Sequence, residues 1–281
     1  MIMNEEVLTV IGSGGMGRAV ARRTGSGRRV LLADLDESAL ESTAESLRSD
    51  GHDVTTHRVD VSSRDSVAEL ARVAAELGPV TRLAHTAGLS PARSSAATIL
   101  RVNLLGAALV LEEFENVVVT GGSAVVVSSM AGHMETSLDE EQEEELARTP
   151  AEELLRLPCA DPEAVTEPGR AYGIAKRANQ LRVQRASVLW GDRGTRVNSI
   201  SPGVISTPMV QQELGSEQRG AVRAMIDASA AGRLGTPEDI AAAADFLLGP
   251  EATFVSGTDL LVDGGVVAAV RSGRLSGSDQ G

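Results

Sequence analysis

Short runs of β-branched and aliphatic residues alternate along the chain with longer stretches whose apolar positions recur every three or four residues. Short β-branched runs alternating with longer amphipathic ones predict an α/β class fold, a doubly wound parallel sheet of about seven strands with helices on both faces. Strands are expected near 7–12, 29–34, 54–59, 80–86, 124–129, 196–201 and 259–263, and helices fill most of the gaps. The clearest helices run from Asp36 to Leu47 and from Ser63 to Leu77, the second with Val67, Leu70, Ala71, Ala74 and Leu77 at helical spacing. No internal repeat and no linker divides the chain. One domain is therefore expected over 1–270, with the Gly- and Ser-rich stretch from Arg271 to Gly281 as a flexible or loosely docked tail.

Composition narrows the picture. Apolar residues make up 42% of the 281 positions but aromatics only 2%, so aliphatic side chains must fill a sizeable core. A formal charge of −13 argues against nucleic acid or an anionic membrane as main partner, because both need a basic face. The single cysteine, Cys159, has no internal disulfide partner. The chain opens Met-Ile-Met-Asn-Glu-Glu and passes at once into Val7-Leu-Thr-Val-Ile11, without the basic start and apolar run of a signal peptide, and no apolar run approaches the ~20 residues that span a bilayer. These features together suggest a soluble cytoplasmic protein.

The first turn carries phosphate chemistry. Gly12-Ser-Gly-Gly-Met-Gly17 follows the first strand and opens a helix, so backbone N–H groups at a helix N-terminus can hold a pyrophosphate that a side chain would block. Asp34 closes the second strand, twenty-two residues after Gly12. A carboxylate there accepts hydrogen bonds from the adenine-ribose hydroxyls and repels a 2′-phosphate, which favours NAD over NADP. Arg18, beside the turn, is the feature that would favour NADP instead.

The chain's only lysine, Lys176, lies four positions after its only tyrosine, Tyr172. On a helix that spacing places both on one face. A phenol titrates near pH ~10, and an ammonium fixed beside it stabilises the phenolate, which makes Tyr172 a candidate general acid/base. A chance pairing on a helix surface is the plain alternative, and the rest of the chain decides between them.

With these pieces in place the chain resembles the short-chain dehydrogenase/reductase family over nearly its whole length. Asn103 in Val-Asn-Leu-Leu-Gly, Ser129 in Val-Val-Val-Ser-Ser-Met-Ala-Gly132, and Tyr172 with Lys176 match the family's Asn-Ser-Tyr-Lys tetrad. Asp60 matches the acid that contacts adenine, Pro202-Gly203-Val-Ile-Ser-Thr207-Pro208 the segment that holds the nicotinamide carboxamide, and Val262-Asp-Gly-Gly265 the last strand. The resemblance implies a Rossmann-like fold and a homo-oligomer, a dimer or a tetramer. It implies cofactor contacts from Gly12, Ser13, Gly15, Met16, Gly17, Asp34, Asp60, Val61, Ala87, Gly88, Pro202, Gly203, Ile205 and Thr207, together with Tyr172 and Lys176.

Three departures stand out. The family turn reads Thr-Gly-x-x-x-Gly-x-Gly, whereas Gly12, Gly15 and Gly17 are one residue closer and Ile11 replaces the threonine. The usual Asn-Asn-Ala-Gly is His85-Thr-Ala-Gly88, so the ties of the fourth strand to its neighbour must be supplied differently, with His85 expected as a structural hydrogen-bonder. His52, His57 and His133 show no metal-ligand spacing, and no metal site is expected. Finally, Ser129 and Tyr172 are 43 residues apart where most members leave little over a dozen, which is similar to the bacterial 3α-hydroxysteroid dehydrogenase/carbonyl reductase branch. That branch also resembles the chain at Ala87-Gly-Leu-Ser-Pro91 and Trp190-Gly191, and its members with such an insert tend to be dimers.

The insert, about 133–168, is acidic: His133 to Glu167 holds twelve Asp and Glu against two Arg. Asp139 to Arg148 and Ala151 to Leu157 read as two short helices, the second with Thr149 as cap and Pro150 as first residue. A solvated flap and a role in gating or assembly are both open. The implied activity is NAD(H)-dependent interconversion of a secondary alcohol and a ketone. Tyr172 would exchange the proton, Ser129 hold the substrate oxygen, Lys176 lower the tyrosine pKa and grip the ribose, and Asn103 hold a water. The substrate wall is expected from the insert, Leu89, Ser90 and the segment from Met209 to Met225. An NADPH-dependent carbonyl reductase and a non-catalytic NAD-sensing protein are the alternatives; Asp34 disfavours the first and the intact tetrad the second.

Overall fold

The computed structural model describes residues 6–207 and 219–274. Seven parallel strands lie in the order β3-β2-β1-β4-β5-β6-β7: β1 Val7–Ile11, β2 Arg29–Asp34, β3 Asp53–Arg58, β4 Val80–His85, β5 Val118–Val127, β6 Arg196–Pro202 and β7 Asp259–Val262. Every residue of β1 is buried, because a central parallel strand is covered on both faces. Val7 and Ile11 pack on one side of the sheet, Leu8 and Val10 on the other.

On the first side lie α3 Arg64–Leu77, a helix assembled from α4 Ala96–Ile99, a π-helical turn Leu100–Leu105 and α5 Gly106–Phe114, and, beyond the short α6 Met130–Met134 and the insert helix α7 Glu140–Arg148, the long α8 Pro168–Gly191. On the second lie α1 Gly15–Thr24, α2 Glu37–Ser49 and, after α9 Arg219–Ala228, the helix α10 Pro237–Leu248; the chain continues through β7 to α11 Val266–Arg271. Helix starts follow local chemistry. Asp36 caps α2 through Ser38 N and Ala39 N, Ser63 caps α3, and Thr236 with Asp239 forms a capping box on α10. Asp36 and Ser63 are thus caps, each just outside the helix expected to begin there.

Sequence expectation and structure part at two elements. The apolar pattern predicts β5 over 124–129, whereas the strand runs from Val118 to Val127. Between the Val80–Val118 and Arg82–Ser123 pairs the register shifts, with Gly121 at φ 83°, so the Thr120-Gly-Gly stretch interrupts the apolar pattern without ending the strand. Ser129 has left the ladder and caps α6. The second insert helix is a 3₁₀ segment, Ala151–Arg156, held by Glu153 N–Pro150 O and Leu157 N–Leu154 O bonds. Pro150 stands at its cap, not its first turn, while Thr149 ends α7, and the seven residues between Pro150 and Pro158 hold only a short 3₁₀ segment.

Candidate functional site

The strand order reverses between β1 and β4, and a crevice opens there at the carboxyl ends of the strands. A cavity of about 460 Å³ fills it. Its wall comes from Gly12 to Gly17 apart from Ser13, from Asp34 and Leu35, from Val59, Asp60 and Val61, from Thr86 to Leu89, and from Thr98, Val102 and Thr207. The expected contacts Gly12, Gly15, Met16, Gly17, Asp34, Asp60, Val61, Ala87, Gly88 and Thr207 are therefore brought together. Gly203 and Ile205 line a smaller hollow of about 210 Å³ with Arg233 and Asp263, and Pro202 is buried at the end of β6. The part of the expected substrate wall from Met209 to Gln218 lies outside the described residues, as does the part of the tail from 275 onward.

The shortened turn is built around backbone contact. Gly12 takes φ 103°, and a Cβ on Gly17 would stand 1.8 Å from Gly12 O, so neither position admits a side chain. Gly14 caps α1, and a Cβ there would meet nothing within 4 Å; the space it leaves belongs to the cavity, at the N-terminus of a helix. A dinucleotide pyrophosphate fits that cradle. Gly14 is not among the contacts expected from the sequence, although it is the middle glycine of Gly-x-Gly-x-x-Gly and that pattern could have found it. Gly12 N donates to Ala33 O at 2.7 Å, and Asp34 Oδ2 accepts from Ser13 N at 2.6 Å and Ser13 Oγ at 2.9 Å, so the turn and the end of β2 form one unit.

Thr86 supplies the tie that the family's asparagine would make. Its hydroxyl lies 3.1 Å from Ile11 O and 3.0 Å from Gly12 O, bridging β4 to the end of β1. The expected hydrogen-bonding role of His85 is not realised at Nδ1, which is buried without a partner among the described residues. The imidazole is 2% exposed, and burial, with a smaller contribution from the Lys176 charge, pushes its pKa down to about 3. His85 is a neutral core side chain, and the tie to β1 is made by Thr86 instead.

The tetrad residues come from three elements. Asn103 sits in the π-helical turn and pairs with Leu89 in both directions, Leu89 N to Oδ1 at 2.8 Å and Nδ2 to Leu89 O at 2.9 Å, which fixes the loop after β4. Ser129 Oγ accepts from Ala131 N at 3.1 Å, leaving its proton to donate. Tyr172 and Lys176 stand one turn apart on α8, with Lys176 Nζ 5.6 Å from the phenol centroid. The lysine is 4% exposed, donates to Val127 O at 3.0 Å, and burial alone brings its pKa down to about 8. Gly88 joins this cluster to the cavity: a Cβ there would lie 3.4 Å from Asn103 Oδ1 and 3.5 Å from Lys176 Nζ. His133 bonds Asp259 at 2.6 Å, and the described residues hold no cluster suited to a metal ion.

The insert lies against the body. Leu146, Leu154, Ala160 and Val165 are buried in the same core as α5 and α8. Arg182 on α8 donates to Leu146 O at 3.0 Å and Thr149 O at 2.7 Å, Arg177 pairs with Glu143, and Arg64 on α3 clamps Glu152 together with Glu112 and Glu113. A free solvated excursion is excluded.

A crevice with a glycine cradle and an acid, adjoined through Gly88 by a buried lysine that stands one helical turn from a tyrosine, defines a nucleotide-dependent oxidoreductase acting on CH–OH groups. The chain belongs to the short-chain dehydrogenase/reductase family. The family pattern described as short chain dehydrogenase matches residues 6–138, and that described as Enoyl-(Acyl carrier protein) reductase matches 154–267, so the break between them falls in the insert. A short-chain dehydrogenase/reductase, bsc3, of Alternaria brassicicola is 42% identical over 267 residues, covering 95% of this chain and 97% of that protein. The 3-alpha-hydroxysteroid dehydrogenase/carbonyl reductase of Comamonas testosteroni is 29% identical over 188 residues, 66% of this chain and 72% of that one, which supports the branch resemblance loosely. Among solved structures, a point variant of actinorhodin polyketide ketoreductase with NADPH has a TM-score of 0.73 at 23% identity, covering 93% of this chain and 97% of that one, and bears on the fold alone.

Proposed function

We propose that this protein is an NAD(H)-dependent oxidoreductase interconverting a secondary alcohol and a ketone. The observation that carries the reading is the junction at Gly88, where the cavity holding the glycine turn and Asp34 meets Asn103 and Lys176. The nicotinamide, when bound, supplies or accepts the hydride. Gly12, Gly14, Gly15 and Gly17 cradle the pyrophosphate, Asp34 the adenine ribose, Asp60 with Val61 the adenine, and Thr207 with Pro202, Gly203 and Ile205 the carboxamide end. Tyr172 exchanges a proton with the substrate oxygen, and Ser129 donates its hydroxyl proton to the same oxygen as charge develops. Lys176 stabilises the phenolate by its charge and binds the ribose. Asn103 fixes the strand-end loop and holds the water that links the lysine to solvent.

Asp34 supports NAD over NADP because it lines the same cavity as the glycine turn, and a carboxylate there accepts from ribose hydroxyls and repels a 2′-phosphate. The assembly we propose is a homodimer: the α5 and α8 face is taken by the insert, while edge strand β7 remains only half-buried. No helix among the described residues is long and apolar enough to cross a membrane, which accords with the cytoplasmic setting we propose.

A screen of steroid, polyol, aliphatic and aromatic alcohols with NAD and, separately, NADP, read by the absorbance of the reduced cofactor, tests this function. Turnover with NAD is expected. Turnover with NADP alone would overturn the cofactor assignment, and tight NAD binding without turnover of any alcohol or ketone would favour the sensing protein.

A further inference from the structure

Resting on the NAD(H) reading, we infer that Ser13, backed by Thr43, sets cofactor preference as a positioning residue, by immobilising the Asp34 carboxylate and without its own side chain touching the cofactor. Ser13 is 4% exposed and is missing from the wall of the cavity although the residues on both sides of it line that wall. Its N–H at 2.6 Å and its hydroxyl at 2.9 Å both donate to the same oxygen, Oδ2 of Asp34. Among the described residues the other oxygen, Oδ1, receives only Asp36 N, at 3.2 Å. On α2, Thr43 Oγ1 donates to Ser13 O at 3.1 Å and fixes the serine in turn. Thr43 is likewise absent from the cavity wall.

The consequence follows from the geometry of discrimination. Repulsion rejects a competing ligand only when the repelling group cannot move aside. A carboxylate free to rotate would swing away from a 2′-phosphate at small cost, whereas one held by two donors on one oxygen must meet the phosphate charge in place. The same clamp leaves Oδ1 with capacity to accept from ribose hydroxyls, so Ser13 sharpens preference from both directions. Ser13 follows Gly12, whose own N–H is tied to Ala33 O next to Asp34, and this anchoring holds the serine within reach of the carboxylate.

The test is titration of the protein with NADH and with NADPH, followed by nicotinamide fluorescence, for the wild type, Ser13→Ala, Thr43→Val, Asp34→Ala and the Ser13→Ala/Asp34→Ala double variant. Ser13→Ala should lower the NADH-over-NADPH affinity ratio by about tenfold, the loss expected for one hydrogen bond to a charged group. Thr43→Val should lower it less, in the same direction. In the Asp34→Ala background Ser13→Ala should change the ratio no further. An unchanged ratio in both Ser13→Ala and Thr43→Val, or an equal fall with and without Asp34, overturns the inference. Failure of the underlying reading shows separately, as a wild type that prefers NADPH or an Asp34→Ala ratio equal to the wild type's, and takes the inference with it.

Discussion

Lys176 Nζ lies 5.6 Å from the centroid of the Tyr172 ring and is held there by the carbonyl of Val127. The ammonium is therefore fixed by the sheet, independently of the cofactor, and the phenol is carried beside it by the same helix. Two residues four apart on α8 are aligned with the help of a second element, β5, which holds the lysine.

Tyr172→Phe removes the phenolic proton and little packing. Turnover should fall by ~10²–10⁴-fold, the range for loss of a general acid/base, while NADH affinity stays within about twofold. Steady-state rates with any accepted substrate and a fluorescence titration check this. Wild-type rates in the variant would end the assignment.

Lys176→Met should also abolish turnover, yet it relieves a burial cost. The folded-state pKa of about 8 lies below the ordinary 10.5, so at pH 7 the fold holds a charge it disfavours by about 3 kcal/mol. The lost bond to Val127 O offsets about 1.5–3 kcal/mol of the relief. Between pH 8 and 10.5 the unfolded chain binds the proton and the folded one does not, so the wild type regains this stability as pH rises. The variant's melting temperature, relative to wild type, is expected to be higher at pH 7 than at pH 10. A difference independent of pH would show that burial of the charge is not what costs stability.

These residues also mark what the chain discloses before folding. The tetrad, the glycine turn and Asp34 are legible because each is a residue type at a fixed place in an alternating pattern. Thr86 is not: its motif draws the eye to His85, and only three-dimensional proximity shows that the threonine hydroxyl reaches the last carbonyl of β1 and the first of the glycine turn. Ser13 reads as a cofactor contact from its place in the turn, but which way a side chain points depends on φ and ψ values that spacing does not encode. The start of β5 is hidden by two glycines, because a bulge keeps its strand pairing while losing the apolar period.

His85 predicts an acid-side loss of stability. Its pKa is about 3 in the fold against an ordinary 6.5, so between those values the unfolded chain takes up a proton that the folded one refuses, and stability falls as pH drops. From pH 7 to pH 5 the loss through this side chain is about 2 kcal/mol. Urea unfolding of wild type and His85→Leu at both pH values isolates it: the variant's stability should fall less by that amount. Equal losses in the two proteins would mean that the imidazole is protonated in the fold.

The insert allows a stricter test. Its apolar side chains, Leu146 and Leu154 foremost, are buried against α5 and α8, and its backbone carbonyls at 146 and 149 both accept from Arg182 Nη1, so it replaces solvent over a face that would otherwise be apolar with a buried arginine. Its carboxylates outside the ion pairs are largely turned to water, where they repel one another. Leu146→Ala should cost about 2–5 kcal/mol, as for a fully buried leucine. Deleting 135–161 and joining the ends with a short glycine linker should expose the α5 and α8 face and change oligomeric state or substrate range. NAD binding should persist, because Gly12 to Gly17, Asp34 and Thr86 owe no contact to the insert. Light scattering and a substrate panel check the outcome: the same assembly and the same substrates after deletion would reduce the insert to a docked cover without a role in either.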